Sequence, residues 1–331
     1  MASKIKPNYD ENRNILAEVI PLQTPFSIQI TASSACNFRC CYCIHGSSKN
    51  MQKKNMDWRT FEIICNQIGE FKDRLKQINF AGWGEPTINI DLPRMVSHLK
   101  KHNIVDKVSV ITNGSLLNEY TGSALVDSGV DYIKISLQGM KAEKYSEICG
   151  FDLDFEEFVS KIRRLYKSKK QCQVYVKVAD IAISENEEEA FYSTFKDISD
   201  RMYIENIRPI FEHGNNDIGI NKEQMISKYG YIHSPVIVCP QPFFMMNITE
   251  TGDVYPCCSY HDPTKLGNIH NISLLNIWNS PSLRNFQIMM LNKRRYIAKN
   301  YPVCRECKIP DAIVLPEDDL DTDADKILKR F

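Results

Sequence analysis

The run PFSIQITASSACNFRCCYC, residues 25–43, leads a short apolar segment straight into three cysteines, Cys36, Cys40 and Cys43, in a C-x3-C-x2-C spacing. PFSIQITAS (25–33) reads as a strand that feeds the cysteine loop. Thiolates at i, i+4 and i+7 of a loop can converge on one soft metal centre. An iron-sulfur cubane takes four ligands, so three cysteines leave one position for another molecule. Zinc is the competing reading, because structural zinc sites use paired cysteines or cysteine with histidine, and His45 follows closely. A disulfide framework fits less well: the cysteines are clustered in a long chain, and the polar opening MASKIKPNYDENRN has no apolar secretory leader.

With the aromatic Tyr42 directly before the third cysteine, this loop resembles the cluster loop of the radical S-adenosyl-L-methionine (SAM) superfamily. INFAGWGEP, residues 78–86, resembles that family's strand ending in a Gly-Gly-Glu motif. The resemblance implies a 4Fe-4S cluster on Cys36, Cys40 and Cys43, with SAM on its open iron. It also implies a SAM pocket drawn from Tyr42, Gly82, Trp83, Gly84, Glu85, Asn113 and Ser136. Glycines let the backbone approach a ligand closely, and Glu85 is expected to accept hydrogen bonds from the methionine ammonium of SAM. Trp83 stands where the family usually has glycine; its indole either packs beneath the loop or forms part of the pocket wall. Asn113-Gly114 can equally be a turn, and Ser136 can equally make a local hydrogen bond. Related enzymes often place an arginine beyond that serine for the SAM carboxylate. Residues 141–150, KAEKYSEICG, have none, so Lys144 or another residue takes the contact if it exists.

The chain has 331 residues, with 41 Lys+Arg against 41 Asp+Glu and a net charge of +0. That balance argues against a surface that tracks a nucleic-acid backbone. No apolar run approaches the roughly 20 residues that cross a bilayer. A cytoplasmic protein without nucleic-acid or membrane partners is expected. Strands are expected at 77–82, 108–114, 131–139, 172–183 and 203–211. Helices are expected at 58–71, with Ile63, Ile64 and Ile68 buried, and at 91–102, 123–129, 155–166 and 187–199. This alternation implies parallel strands with crossover helices. The expected fold class is α/β: a partial (β/α)6 barrel with a small C-terminal auxiliary-cluster domain. Its divisions are an N-terminal extension (1–21), the barrel (22–215), a connector (216–236), the cluster domain (237–310) and an acidic tail (311–331). Barrel chemistry sits at the C-terminal ends of strands, where the cysteine loop, Gly82 to Glu85, Asn113, Ser136 and Gln138 all fall.

A second thiol group lies in VCPQPFFMMNITETGDVYPCC (238–258) and CREC (304–307), giving Cys239, Cys257, Cys304 and Cys307. Four thiolates can close a cluster by protein ligation alone, with zinc again the alternative. The group resembles the SPASM or twitch domains appended to some radical SAM enzymes and implies one auxiliary 4Fe-4S cluster, with Trp278 in the appended core. Cys65 and Cys172 read as buried apolar residues, Cys149 is undecided, and Cys41 is a spare. Cys258, next to a proposed ligand, can face the barrel mouth as a hydrogen-atom donor or face away. PEDDLDTDAD (316–325) is expected to be a solvated surface or mobile tail, with KILKRF able to fold back as a final helical turn.

The resemblance implies a 5′-deoxyadenosyl radical that takes hydrogen from an unactivated carbon, with the auxiliary cluster removing a second electron. Loss of hydrogen, electron and proton from a hydroxyl-bearing carbon gives a ketone, so alcohol dehydrogenation of a sugar-like or aminocyclitol molecule is the expected reaction. His213, His233 and His261 are candidate proton acceptors, with Tyr255 and Glu212 as further options. A peptide epimerase or crosslinking enzyme is the alternative, in which Cys258 would donate hydrogen if the product is an epimer. The expected partners are a small polar substrate or a peptide, and a reducing donor such as flavodoxin or ferredoxin. An electron-transfer module without catalysis would have fully ligated iron sites, which the three-cysteine loop contradicts.

Overall fold

The computed structural model describes residues 3–7, 9, 12–43, 53–207, 225–258, 263–292 and 302–331. A short strand β1 (Lys4–Ile5) and helix α1 (Leu16–Val19) precede β2 (Ser27–Ile30). Helix and strand then alternate through α2 (Trp58–Ile68), β3 (Leu75–Phe80), α3 (Leu92–His102), β4 (Val105–Thr112), α4 (Glu119–Asp127) and β5 (Tyr132–Leu137). They continue through α5 (Ala142–Cys149), α6 (Phe155–Ser168), β6 (Gln173–Ala179), α7 (Glu185–Phe195) and β7 (Arg201–Glu205). A C-terminal part follows with β8 (Met245–Ile248), β9 (Asp253–Tyr255), β10 (Gly267–Asn268), α8 (Leu274–Trp278) and α9 (Pro281–Leu291). Three short helices, α10 (Pro302–Glu306), α11 (Ile309–Ile313) and α12 (Ala324–Leu328), complete it.

Strands β2 to β7 pair in chain order and every pair is parallel, which is the expected six-strand arc of a partial barrel. Parallel neighbours need a crossover, and the helices supply it. The arc does not close. At one edge β1 adds in parallel to β7, and at the other β8 adds in parallel to β2, followed by antiparallel β9 and β10. The C-terminal part therefore continues the barrel's own sheet.

The helix-facing side of the arc is apolar: Ile28, Ile30, Ile78, Phe80, Val108, Val110, Ile133 and Ile135 are fully buried. Helix α2 covers it with Phe61, Ile64 and Ile68, while Ile63, expected on that side, is only half-buried because Phe61 takes the central place. The Asp57 carboxylate caps this helix by accepting from Thr60 N at 2.7 Å. The alternate residues on the strands are polar: Gln29, Asn79, Ser109, Lys134, Ser136 and Lys177. Parallel strands covered on both faces are normally apolar throughout. Here the inner face is a polar lumen.

The acidic tail is folded, contrary to the expectation of a solvated or mobile segment. Leu320, Ala324 and Ile327 are buried against Leu16 and Ile20 of the N-terminal segment and against Val238, Phe243 and Phe286. The acidic residues between them serve as backbone acceptors and ion-pair partners. Asp321 accepts from Ile237 N at 3.0 Å and Val238 N at 2.7 Å, and Asp318 pairs with Arg13. Arg330 donates to Ala17 O at 2.8 Å, and Arg284 lies 3.9 Å from the Phe331 ring centre. Trp278 is buried as expected and donates to Leu22 O at 2.9 Å. Among the described residues no helix is long and apolar enough to cross a membrane.

Ile327→Ala empties a fully buried position in this seam. It is expected to cost about 2–5 kcal/mol, read as a lower denaturant midpoint. An unchanged midpoint would contradict the packed tail.

Candidate active site

Cys36, Cys40 and Cys43 follow β2, where the chain leaves the C-terminal end of the barrel. The loop is tied down by its backbone. Arg39 N and Cys41 N donate to Cys149 O and Ile148 O at the end of α5, both at 2.8 Å, and Cys43 N donates to Cys40 O at 3.0 Å. Phe38 is the apolar anchor, buried with its ring centre 4.7 Å from Phe151 and 6.1 Å from Tyr145. Burial pushes the Cys36 thiol up to about 12, and Glu85, Cys40 and Cys43 add to the shift. The Cys40 thiol is raised by its hydrogen bond with Cys149 and then by burial, which gives that undecided cysteine a place against the loop. Three crowded thiols resist ionising together, and a cationic cluster core supplies the compensating charge. The donor set fits a cluster with one open corner.

Glu85 is the hub beneath this loop. It is 2% exposed. Its Oε1 accepts from Thr87 N at 3.0 Å and from the hydroxyls of Thr87 and Thr112, each at 2.6 Å; Oε2 accepts from Asn113 N at 2.7 Å. Burial pushes its carboxyl up, and these four donors oppose that by favouring the ionised form. The carboxylate is thus largely engaged by the protein itself, with room on Oε2 for a further donor. Glu85 N donates to Ala35 O at 2.7 Å, joining the glycine loop to the cysteine loop. Gly84 makes this approach possible: its φ is +80°, and a Cβ there would lie 2.3 Å from Ser33 O. Trp83 is half-buried beside it.

Asn113 also reaches the cysteine loop. Its Nδ2 donates to Asn37 Oδ1 at 2.9 Å, while its Oδ1 accepts from Ser115 N at 3.0 Å and from the Ser115 hydroxyl at 2.7 Å. Asn37 closes the triangle by donating to Ser115 Oγ at 2.8 Å. Tyr42 donates to Gln138 Oε1, so the aromatic before the third cysteine is fixed to the end of β5. Ser136 faces the lumen, half-buried. Lys144 pairs with Glu147 at 2.8 Å on α5, whereas the cation in register with Ser136 is Lys177.

The lumen carries charges that the sequence reading did not single out. Lys177 pairs with Glu205, and Lys228 lies 3.9 Å from the same carboxylate. Burial alone would push Glu205 up, but Lys177, Lys228 and Lys134 hold it below the usual carboxylate range. The available signal was periodic: YIKISL and QVYVKVA place lysines at alternate positions of otherwise apolar parallel strands.

Cys239, Cys257, Cys304 and Cys307 are buried and line one pocket with Gln241, Phe286 and Met290. Among the described residues, no three His, Cys, Asp or Glu side chains are grouped closely enough to hold a single metal ion. Four buried thiols lining one pocket match the ligand number of a four-iron cluster. Cys258 is not in that lining; its backbone N donates to Gln241 Oε1 at 3.0 Å, and its thiol feels Lys228. Cys65 and Cys172 are buried, as expected of apolar fillers, and Cys41 is exposed. Tyr255 is half-buried on β9. His45, Glu212, His213 and His261 lie outside the described residues.

A family model of the radical SAM superfamily matches residues 30–192, and one of an iron-sulfur cluster-binding domain, SPASM, matches residues 239–308. The chain is 23% identical over 327 residues to the tungsten-containing aldehyde ferredoxin oxidoreductase cofactor-modifying protein of Pyrococcus furiosus, covering 86% of this chain and 88% of that one. It is similar in fold to BtrN in complex with AdoMet and 2-DOIA, at 17% identity and TM-score 0.54, covering 85% of this chain and 92% of that one. It is likewise similar to Streptococcus suis SuiB bound to precursor peptide SuiA, at 19% identity and TM-score 0.54, covering 82% of this chain and 69% of that one.

Glu85→Gln turns an acceptor of four hydrogen bonds into a group that itself donates. The variant is expected to lose about 1–3 kcal/mol of stability, measured by chemical denaturation. Wild-type stability would contradict the hub.

Proposed function

This chain belongs to the radical SAM superfamily and carries a SPASM iron-sulfur domain, and from that premise we propose that it is an oxidoreductase that dehydrogenates a secondary alcohol of a sugar-like or aminocyclitol small molecule. A 4Fe-4S cluster and SAM, when bound, supply the 5′-deoxyadenosyl radical that removes a hydrogen atom from the substrate carbon. Cys36, Cys40 and Cys43 would hold the first cluster; Gly82, Trp83, Gly84, Glu85, Asn113, Ser136 and Tyr42 would shape the SAM pocket. Cys239, Cys257, Cys304 and Cys307 would hold one auxiliary 4Fe-4S cluster. The barrel is taken as 22–215, after an extension (1–21), with a connector (216–236), the auxiliary-cluster domain (237–310) and the C-terminal segment (311–331) beyond it.

The observation that supports this reading is the polar lumen, whose charges bear on a residue beside each of the two thiol sites. Glu205 bears electrostatically on Tyr42, beside the first site, and Lys228 on Cys258, beside the second. A substrate held there lies between the place where hydrogen is taken and the place where an electron can leave. Tyr42 and the lumen residues would orient the target carbon, and the surrounding sheet would exclude water. His213 and His261 are the proposed proton acceptors. A cytoplasmic setting with a flavodoxin or ferredoxin donor suits oxygen-sensitive clusters.

Peptide modification is the second reading, favoured by the placement of Cys258 apart from the four-thiol pocket, on the Lys228 side. The SuiB likeness, with its bound peptide, is consistent with it. Anaerobically reconstituted protein, given a strong reductant and SAM, is expected to form 5′-deoxyadenosine; none would refute the radical reading. Cys258→Ala should keep most of a dehydrogenase's turnover. An epimerase would lose epimerisation while still abstracting hydrogen.

A further inference from the structure

We propose that the barrel lumen seats its substrate by an anionic group, a phosphate or a carboxylate, held among Lys134, Lys177, Arg201 and Lys228. The proposal rests on reading the lumen as the substrate pocket, and it narrows the substrate class.

Strand register places three of the four cations. Lys134 on β5 is level with Tyr175 on β6, which is level with Arg201 on β7. Ser136, Lys177 and Tyr203 form the next level, about 6.6 Å further along the strands. Glu205 stands beyond them at the end of β7. Lys228 enters from the segment after the barrel strands and reaches Glu205 at 3.9 Å. Among the described residues, Lys134, Lys177 and Lys228 bear on this carboxylate, and Lys177 and Lys228 engage it directly. Arg201, whose guanidinium donates to Pro7 O at 3.0 Å and lies over the Tyr175 ring, bears on Lys134.

Lys134 has the least local compensation. Among the described residues its ammonium makes no hydrogen bond and no ion pair; the Tyr132 ring lies 5.7 Å from it. Burial lowers its pKa to about 7, assisted by Lys228, Lys177 and Arg201, with Glu205 opposing. An entering anion supplies the missing counter-charge and favours the protonated amine. Binding should therefore take up a proton near neutral pH, and affinity should fall as pH rises through about 7. The other described groups facing this site are the phenols of Tyr42, Tyr132, Tyr175, Tyr203 and Tyr229, the last hydrogen-bonded to Lys228, and the thiol of Cys258. An amine-bearing substrate without an acidic group would meet like charge here, so a sugar phosphate or sugar acid suits the lumen better than an aminocyclitol.

The test uses the anaerobically reconstituted full chain with SAM, titrated by calorimetry with inorganic phosphate, with succinate and with neutral myo-inositol. Phosphate or succinate is expected to bind more tightly at pH 6.5 than at pH 8.5. Lys134→Met should weaken that binding by about tenfold or more, and Lys134→Arg should restore it. Preference for phosphate assigns a phosphorylated substrate, and preference for succinate a carboxylated one. The proposal is overturned if neither anion binds, if myo-inositol binds equally well, or if Lys134→Met leaves anion binding unchanged. It is also overturned if Lys134→Met instead weakens SAM, since the cation would then serve SAM's own carboxylate. Release of 5′-deoxyadenosine without substrate tests the radical reading separately. Anion binding without SAM cleavage would refute that reading alone.

Discussion

The buried Glu85 carboxylate is the tie on which the site's geometry depends. It gathers donors from the turn after β3 and from the end of β4, and its own backbone N–H holds the segment entering the cysteine loop. Asn113 follows directly, so the same corner also grips Asn37 between the first two cysteines. A loop bearing three thiols would otherwise sample many arrangements. Here it is fixed from below by Glu85 and Asn113, from the side by α5, and through Tyr42 at its far end. A site built this way can present its thiols without much reordering when a cluster and its ligand bind.

The second constraint is the split character of the strands. One face builds a conventional apolar core under the helices, and the other leaves polar and charged groups in an open-sided barrel. Each buried lysine and carboxylate weakens the fold unless it is paired or faces a ligand. Lys177 and Glu205 meet that condition by pairing with each other. The C-terminal part joins the same sheet through β8, which sets the four-thiol pocket in a fixed relation to the lumen.

Much of this was legible in the sequence. The cysteine spacing and the INFAGWGEP run point to the proposed first site, and strand-helix alternation gives the six parallel strands. Three features were not. The acidic tail looked solvated because its Leu320, Ala324 and Ile327 are outnumbered by carboxylates, yet those carboxylates cap backbone groups and pair with Arg13 around a buried stripe. Glu85 looked like a ligand group because its motif position is visible in sequence, whereas the donors that converge on it come from residues brought together only by folding. Asn37 and Ser115 carry no motif at all, and their pairing depends on two loops meeting at the barrel rim. The lumen lysines were the recoverable omission, since alternate charges in parallel strands already depart from the usual pattern.

In the proposed arrangement, one thiol site leaves a cluster open to SAM while the other closes its cluster with protein ligands. Iron and sulfide analysis with electron paramagnetic resonance on the anaerobically reconstituted, reduced protein tests it most directly. The expected result is about eight irons per chain in two four-iron clusters, with added SAM changing the signal of one and leaving the other as it was. A single cluster, a stable zinc in the four-cysteine pocket, or two signals that both ignore SAM would contradict it.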